Sequence, residues 1–150
     1  MVTLSTIVKE LTSGLNPRQK DVLTKRFCLD QKSKEGLTLA ELGESYGITR
    51  ERIRQIEAGA LSEVRRKIGE SSVTKSILAS AHKHIESEEG VARESAILSV
   101  FKNEFGLLMQ PSHLSFLLEA EGKVSLYPED KDLFAFWYKD KPSYERAQET

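Results

Sequence analysis

The sequence predicts a mainly α protein, a helix-turn-helix domain followed by a small winged-helix-like α+β domain. Three observations predict it. Two capped helical patterns, at 38–46 and 49–67, flank a short turn that contains Gly47. Beyond a Gly69-Glu70-Ser71-Ser72 break, three more helical patterns precede two apolar runs with strand character. Charge also divides along the 150-residue chain: residues 1–75 hold 14 Lys+Arg against 10 Asp+Glu, and residues 76–150 hold 8 against 13. The net charge of −1 hides that split, which suggests two modules facing different partners.

In order, Leu4, Ile7, Val8 and Leu11 give a short helix near 3–12 one apolar face. Asn16 caps the next helix, with Pro17 at a position where its missing N–H costs nothing and Gln19 completing a capping box. Val22, Leu23, Arg26 and Phe27 follow at helical spacing, and the polar segment 30–36 reads as a loop. Thr38-Leu39-Ala40-Glu41 opens a helix that ends at Tyr46-Gly47, with Gly47 suited to a left-handed closing residue. Thr49 then caps a long helix to about Lys67.

The domain boundaries that follow are 1–68, a linker at 69–73, an acidic winged-helix-like domain at 74–140 and a polar tail at 141–150. Helices are predicted at 74–87, 94–105 and 112–120, and strands at 123–127 and 133–138 around a charged turn, 128–132. That turn holds Glu129, Asp130, Lys131 and Asp132, mainly anions that DNA repels, so this module is expected to bind a protein partner or itself. Strand alternation puts Phe134, Phe136 and Tyr138 on one face and leaves Trp137 on the other as a candidate contact.

Other classes find little support. No apolar run approaches the ~20 residues of a membrane helix, and the start lacks a secretion signal, so a cytoplasmic protein with no membrane partner is expected. The single cysteine, Cys28, reads as a small buried residue and cannot form an internal disulfide. His82 and His84 point apart on a helix, and His113 reads as a surface or partly buried residue, so no metal site is expected. Neither a phosphate loop nor a nucleophile elbow stands out; no enzyme activity and no cofactor are expected.

The 49–67 helix carries the chemistry. At ~100° per residue, Ile53, Ile56, Ala60 and Val64 share one stripe, and Glu51, Gln55, Ala58 and Ser62 lie opposite. Arg52 and Arg54 flank that outer face, while Arg50 projects from the first turn. A major-groove reader needs such side chains: Arg grips guanine, Glu accepts from cytosine and Gln pairs with adenine. A solvated face held by pairs one turn apart is the bland account of an isolated helix. It leaves unexplained why an arginine-rich first turn follows a glycine turn and a shorter capped helix.

The run from Leu15 to about Ile68 resembles region 4 of primary-type bacterial sigma factors, above all in Thr49-Arg50-Glu51-Arg52-Ile53-Arg54-Gln55-Ile56-Glu57-Ala58. The likeness extends to Leu15-Asn16-Pro17-Arg18, Lys25-Arg26-Phe27, Thr38-Leu39-Ala40-Glu41-Leu42-Gly43 and Tyr46-Gly47-Ile48. It implies that Arg50, Glu51 and Gln55 read bases of a −35 promoter element. It also implies that Arg18, Arg26, Thr38, Leu39, Arg52 and Arg54 meet or approach phosphates, and that an apolar surface docks on the β flap of RNA polymerase. This chain departs from the pattern at Cys28, where glycine is usual, in a slightly longer 31–36 loop, and at Gly59 and Ser62-Glu63, which replace basic positions. Nothing resembles the region that melts the −10 element, so a region 4 joined to something else, or the end of a longer protein, is expected.

The function expected is a sequence-specific transcription factor that binds double-stranded promoter DNA and modulates initiation with RNA polymerase. The alternative is a sigma-mimicking adaptor that occupies the β flap or another regulator without reading DNA.

Overall fold

A computed structural model describes residues 3–30, 35–127 and 136–138. It is mainly helical. The N-terminal helices are α1 (Leu4–Leu11), α2 (Pro17–Phe27), α3 (Leu39–Tyr46) and α4 (Arg50–Glu70). Then come α5 (Ser72–Ser87), β1 (Val91–Arg93), α6 (Glu94–Phe105), α7 (Pro111–Glu121), β2 (Ser125–Tyr127) and β3 (Phe136–Tyr138). The expected turn at 128–132, the start of the second strand at 133–135 and the tail at 141–150 lie outside the described residues.

The caps work as their side chains dictate. Thr3, Asn16, Thr38 and Thr49 each accept the backbone N–H three residues on, satisfying one of the donors left open at a helix start. Asn16 with Gln19 and Thr38 with Glu41 form reciprocal capping boxes. The Thr38 hydrogen bonds hold the Glu41 carboxyl below its ordinary range.

Between α3 and α4, Gly47 adopts φ 69° and ψ 32°, and the Ile48 amide donates back to the Gly43 carbonyl at 2.9 Å. Gly43 is required for a different reason: a Cβ there would stand 2.8 Å from the Ile48 carbonyl oxygen and 3.2 Å from the Arg50 nitrogen. Two helices can meet so closely only where one lacks a side chain. Val22, Leu42 and Ile53 then close a small core, with Leu37, Tyr46, Ile48 and Ile56 packed around it.

The second half has winged-helix order, helix, strand, two helices and two strands, with the sheet ordered β1-β3-β2 and both pairs antiparallel. β1 escapes the sequence reading because three residues are too few to display a period of two.

Three expectations need correction. The 69–73 stretch is not an extended linker: α4 runs to Glu70, Ser71 alone separates the helices, and its hydroxyl caps α5 by accepting from Thr74. Trp137 is a core residue with 0% exposure, not an outward contact, because β3 is the central strand and the Trp137 face is the inner one. His113 is buried; its Nδ1 accepts from the Gln110 amide at 3.1 Å and its Nε2 donates to the Cys28 carbonyl at 3.0 Å. Cys28 is buried as expected, and it takes the left-handed conformation, φ 56°, that closes α2.

One apolar cluster joins both halves, running from Leu4, Ile7 and Leu11 of α1 through Phe27, Val64 and Ile68 to Ile77, Phe101, Phe116 and Trp137. Helix α7 is its centre, packing against α2, α4 and α6. Phe116 meets Phe27 with ring centroids 5.7 Å apart, and Arg65 Nε donates to the Ala120 carbonyl at 2.7 Å, a cation set at a helix C-terminus.

Candidate nucleic-acid interface

Helix α4 owes its direction to its inner stripe. Ile53, Ala60, Val64 and Ile68 are buried, and Ile56 is partly so. That fixes the opposite face outward: Arg50, Glu51, Arg52, Arg54, Gln55, Ala58, Gly59 and Ser62 are all exposed. The three expected base readers therefore share one open surface at the N-terminal end of a 21-residue helix. The helix dipole makes that end electropositive, adding to the arginines.

These side chains are already engaged with one another. Arg54 donates from Nε and Nη2 to the two carboxylate oxygens of Glu51, at 2.9 and 2.7 Å. Arg52 Nη1 donates to Gln55 Oε1 at 3.3 Å. The Arg54 hydrogen bond holds the Glu51 carboxyl below its usual range and raises Arg54 in turn. Glu51 therefore stays ionised at neutral pH.

Apart from Arg54, which is paired with Glu51, the residues expected at phosphates divide into three groups. Arg18 is exposed, with its guanidinium 4.3 Å from the centre of the Tyr46 ring. With Asn16, Gln19, Arg52, Gln55 and Gly59 it lines an open cleft between α2 and α4. A Cβ on Gly59 would stand 3.7 Å from Gln19 Nε2, so glycine is not forced there and its effect is to keep the cleft open. Thr38 and Leu39 lie at the start of α3, where the first-turn amides have no partner within the helix. An apolar residue such as Leu39 can therefore face a phosphate through its N–H. Arg26 differs: it is ion-paired with Glu57 of α4, and its Nη1 donates to the Leu37 carbonyl at 3.1 Å. The structure uses this head group to tie α2 to α4 and to the start of α3.

Sequence reasoning missed Glu57 and Arg65. Each bridges elements far apart in the chain, a pairing that local spacing does not reveal. Near the first, crowding by surrounding protein and then the Glu57 carboxylate push the Glu119 carboxyl above its ordinary range, with Arg26 opposing. Further along α4 the outer face becomes a ladder, Arg66 pairing with both Glu63 and Glu70. The described helices include none long and apolar enough to cross a membrane.

Residues 13–66 match the family model described as Sigma-70, region 4. Over 63 residues the chain is 44% identical to the RNA polymerase sigma factor RpoD of Neisseria gonorrhoeae, covering 42% of this chain and 10% of that protein. It is 51% identical over 53 residues to SigA1 of Synechococcus elongatus, covering 35% of this chain and 13% of the relative. With SigA of Clostridium acetobutylicum it shares 46% over 56 residues, covering 37% and 14%. The chain thus matches only a small part of each relative, and the family match ends inside α4. By sequence, residues 13–66 match a sigma-70 region 4 domain.

Proposed function

We propose that this protein is a non-enzymatic, sequence-specific DNA-binding factor that reads a −35-like promoter element through α4 and modulates transcription initiation. The observation that carries this reading is the joint exposure of Arg50, Glu51 and Gln55 on one face at the capped start of α4. In a helix-turn-helix the first turns of the second helix meet the base edges. Arg50 and Gln55 take guanine and adenine contacts, and Glu51 takes a cytosine amino group. Arg18, Arg52 and the α3 N-terminus meet the flanking phosphates.

RNA polymerase is the second partner of this reading. A contact with its β flap would use surface other than the apolar side of α2 and α4 that α7 covers, so the flap-only adaptor is the weaker account. Helix α7 stands where a winged helix carries its DNA reader, and its burial supports a role for the acidic half in protein contact and not in DNA recognition.

The test is equilibrium binding of the whole chain to a duplex bearing a −35-like element, to a scrambled duplex and to a flap-tip peptide. Preference for the −35 duplex is expected, and Arg50→Ala with Gln55→Ala should each cost about 1–3 kcal/mol of discrimination. Equal affinity for both duplexes, with tight peptide binding, would overturn the reading in favour of the adaptor.

A further inference from the structure

On the exposed first turns of α4, Arg54 pairs with Glu51 and Arg52 with Gln55. We propose that Arg54 is a specificity-determining positioning residue, fixing the Glu51 carboxylate in the orientation used to read bases. This inference rests on α4 being the DNA-reading helix and adds how one of its readers is held.

The geometry carries it. The guanidinium fork meets both carboxylate oxygens, at 2.9 and 2.7 Å, and so fixes the plane of the carboxylate as well as its distance. A carboxylate has about four acceptor positions, so two N–H bonds leave room for a cytosine amino group. Glu51 is 60% exposed and Arg54 57%, so no packing orients either side chain and the mutual pair is what restrains them. The pairing also cancels the charge of Glu51, which would otherwise be repelled by the phosphates flanking the groove. An arginine spent on a phosphate would abandon that carboxylate at the moment of binding. Lysine keeps the charge but has no fork, and this separates the two roles.

The experiment measures binding of the full chain to a −35-like duplex and to every single-base-pair substitution of it, over a series of salt concentrations. The proteins are the native chain, Arg54→Lys, Arg54→Gln, Glu51→Gln and the double variant Arg54→Gln/Glu51→Gln, each checked for folding by its thermal transition. Arg54→Lys and Glu51→Gln should lose about tenfold in discrimination at the same base pair. The double variant should discriminate no worse there than Glu51→Gln alone, and Arg54→Lys should keep the native salt dependence. Retention of base preference by Arg54→Lys would overturn the proposal. So would a uniform loss of affinity in Arg54→Gln with a salt slope lower by about one, the signature of a phosphate contact. A native chain without base preference would refute the DNA-reading role of α4 itself, and is seen before any variant is compared.

Discussion

Helices α4 and α7 occupy equivalent places, each the last helix of its motif, and the protein uses them in opposite ways. Only one stripe of α4 is buried, and the rest offers arginine, glutamate and glutamine to solvent. On α7, His113, Leu114, Phe116, Leu117, Leu118 and Ala120 are all buried, because α2 and α4 close one side and the rest of the second half closes the other. Topology therefore places a helix, but the chemistry of the face left open decides what it does. Here one motif leaves a polar face open and the other is buried as support.

The comparison can be broken most forcefully at Phe116, which is fully buried against Phe27. Phe116→Ala should cost about 3–5 kcal/mol of stability, measured by urea denaturation, while the folded fraction keeps its base preference. Altered base preference with unchanged stability would instead make α7 part of the reader. A smaller effect sharpens the same contrast at Glu119. Its raised native pKa means that the folded chain holds this proton more tightly than the unfolded one. The associated stability is present at low pH and lost as pH rises through the native value. Glu119 is solvent-exposed, so water screens the effect; Glu119→Gln should raise Tm slightly at neutral pH and leave it nearly unchanged at pH 4, with DNA affinity not reduced.

Much of the N-terminal half was legible because its signals are local. Capping residues at 16, 38 and 49 and the glycine at 47 act over four residues, and the α4 stripe repeats often enough to set its outward face. The stripe sets which side chains of α4 face outward, while the choice of Arg50, Glu51 and Gln55 among them came from the family resemblance. Arg26 was less legible, since its partner Glu57 lies 31 positions away and nothing in the spacing marks it as a strut. In α7 the run Leu114-Ser115-Phe116-Leu117-Leu118 did carry a signal, being apolar almost all round, which marks a helix covered on more than one side. Burial of His113 and Trp137 depends on those covering elements, so single-face periodicity misplaced both.

The account stands on α4 meeting DNA while α7 does not. Its most direct measurement is a heteronuclear NMR titration of the isotope-labelled chain with a −35-like duplex. Large shifts are expected for amides and side chains at 49–58 and around Arg18, with residues 111–121 unchanged. Shifts centred on 111–121, or none on the outer face of α4 at saturating duplex, would contradict it.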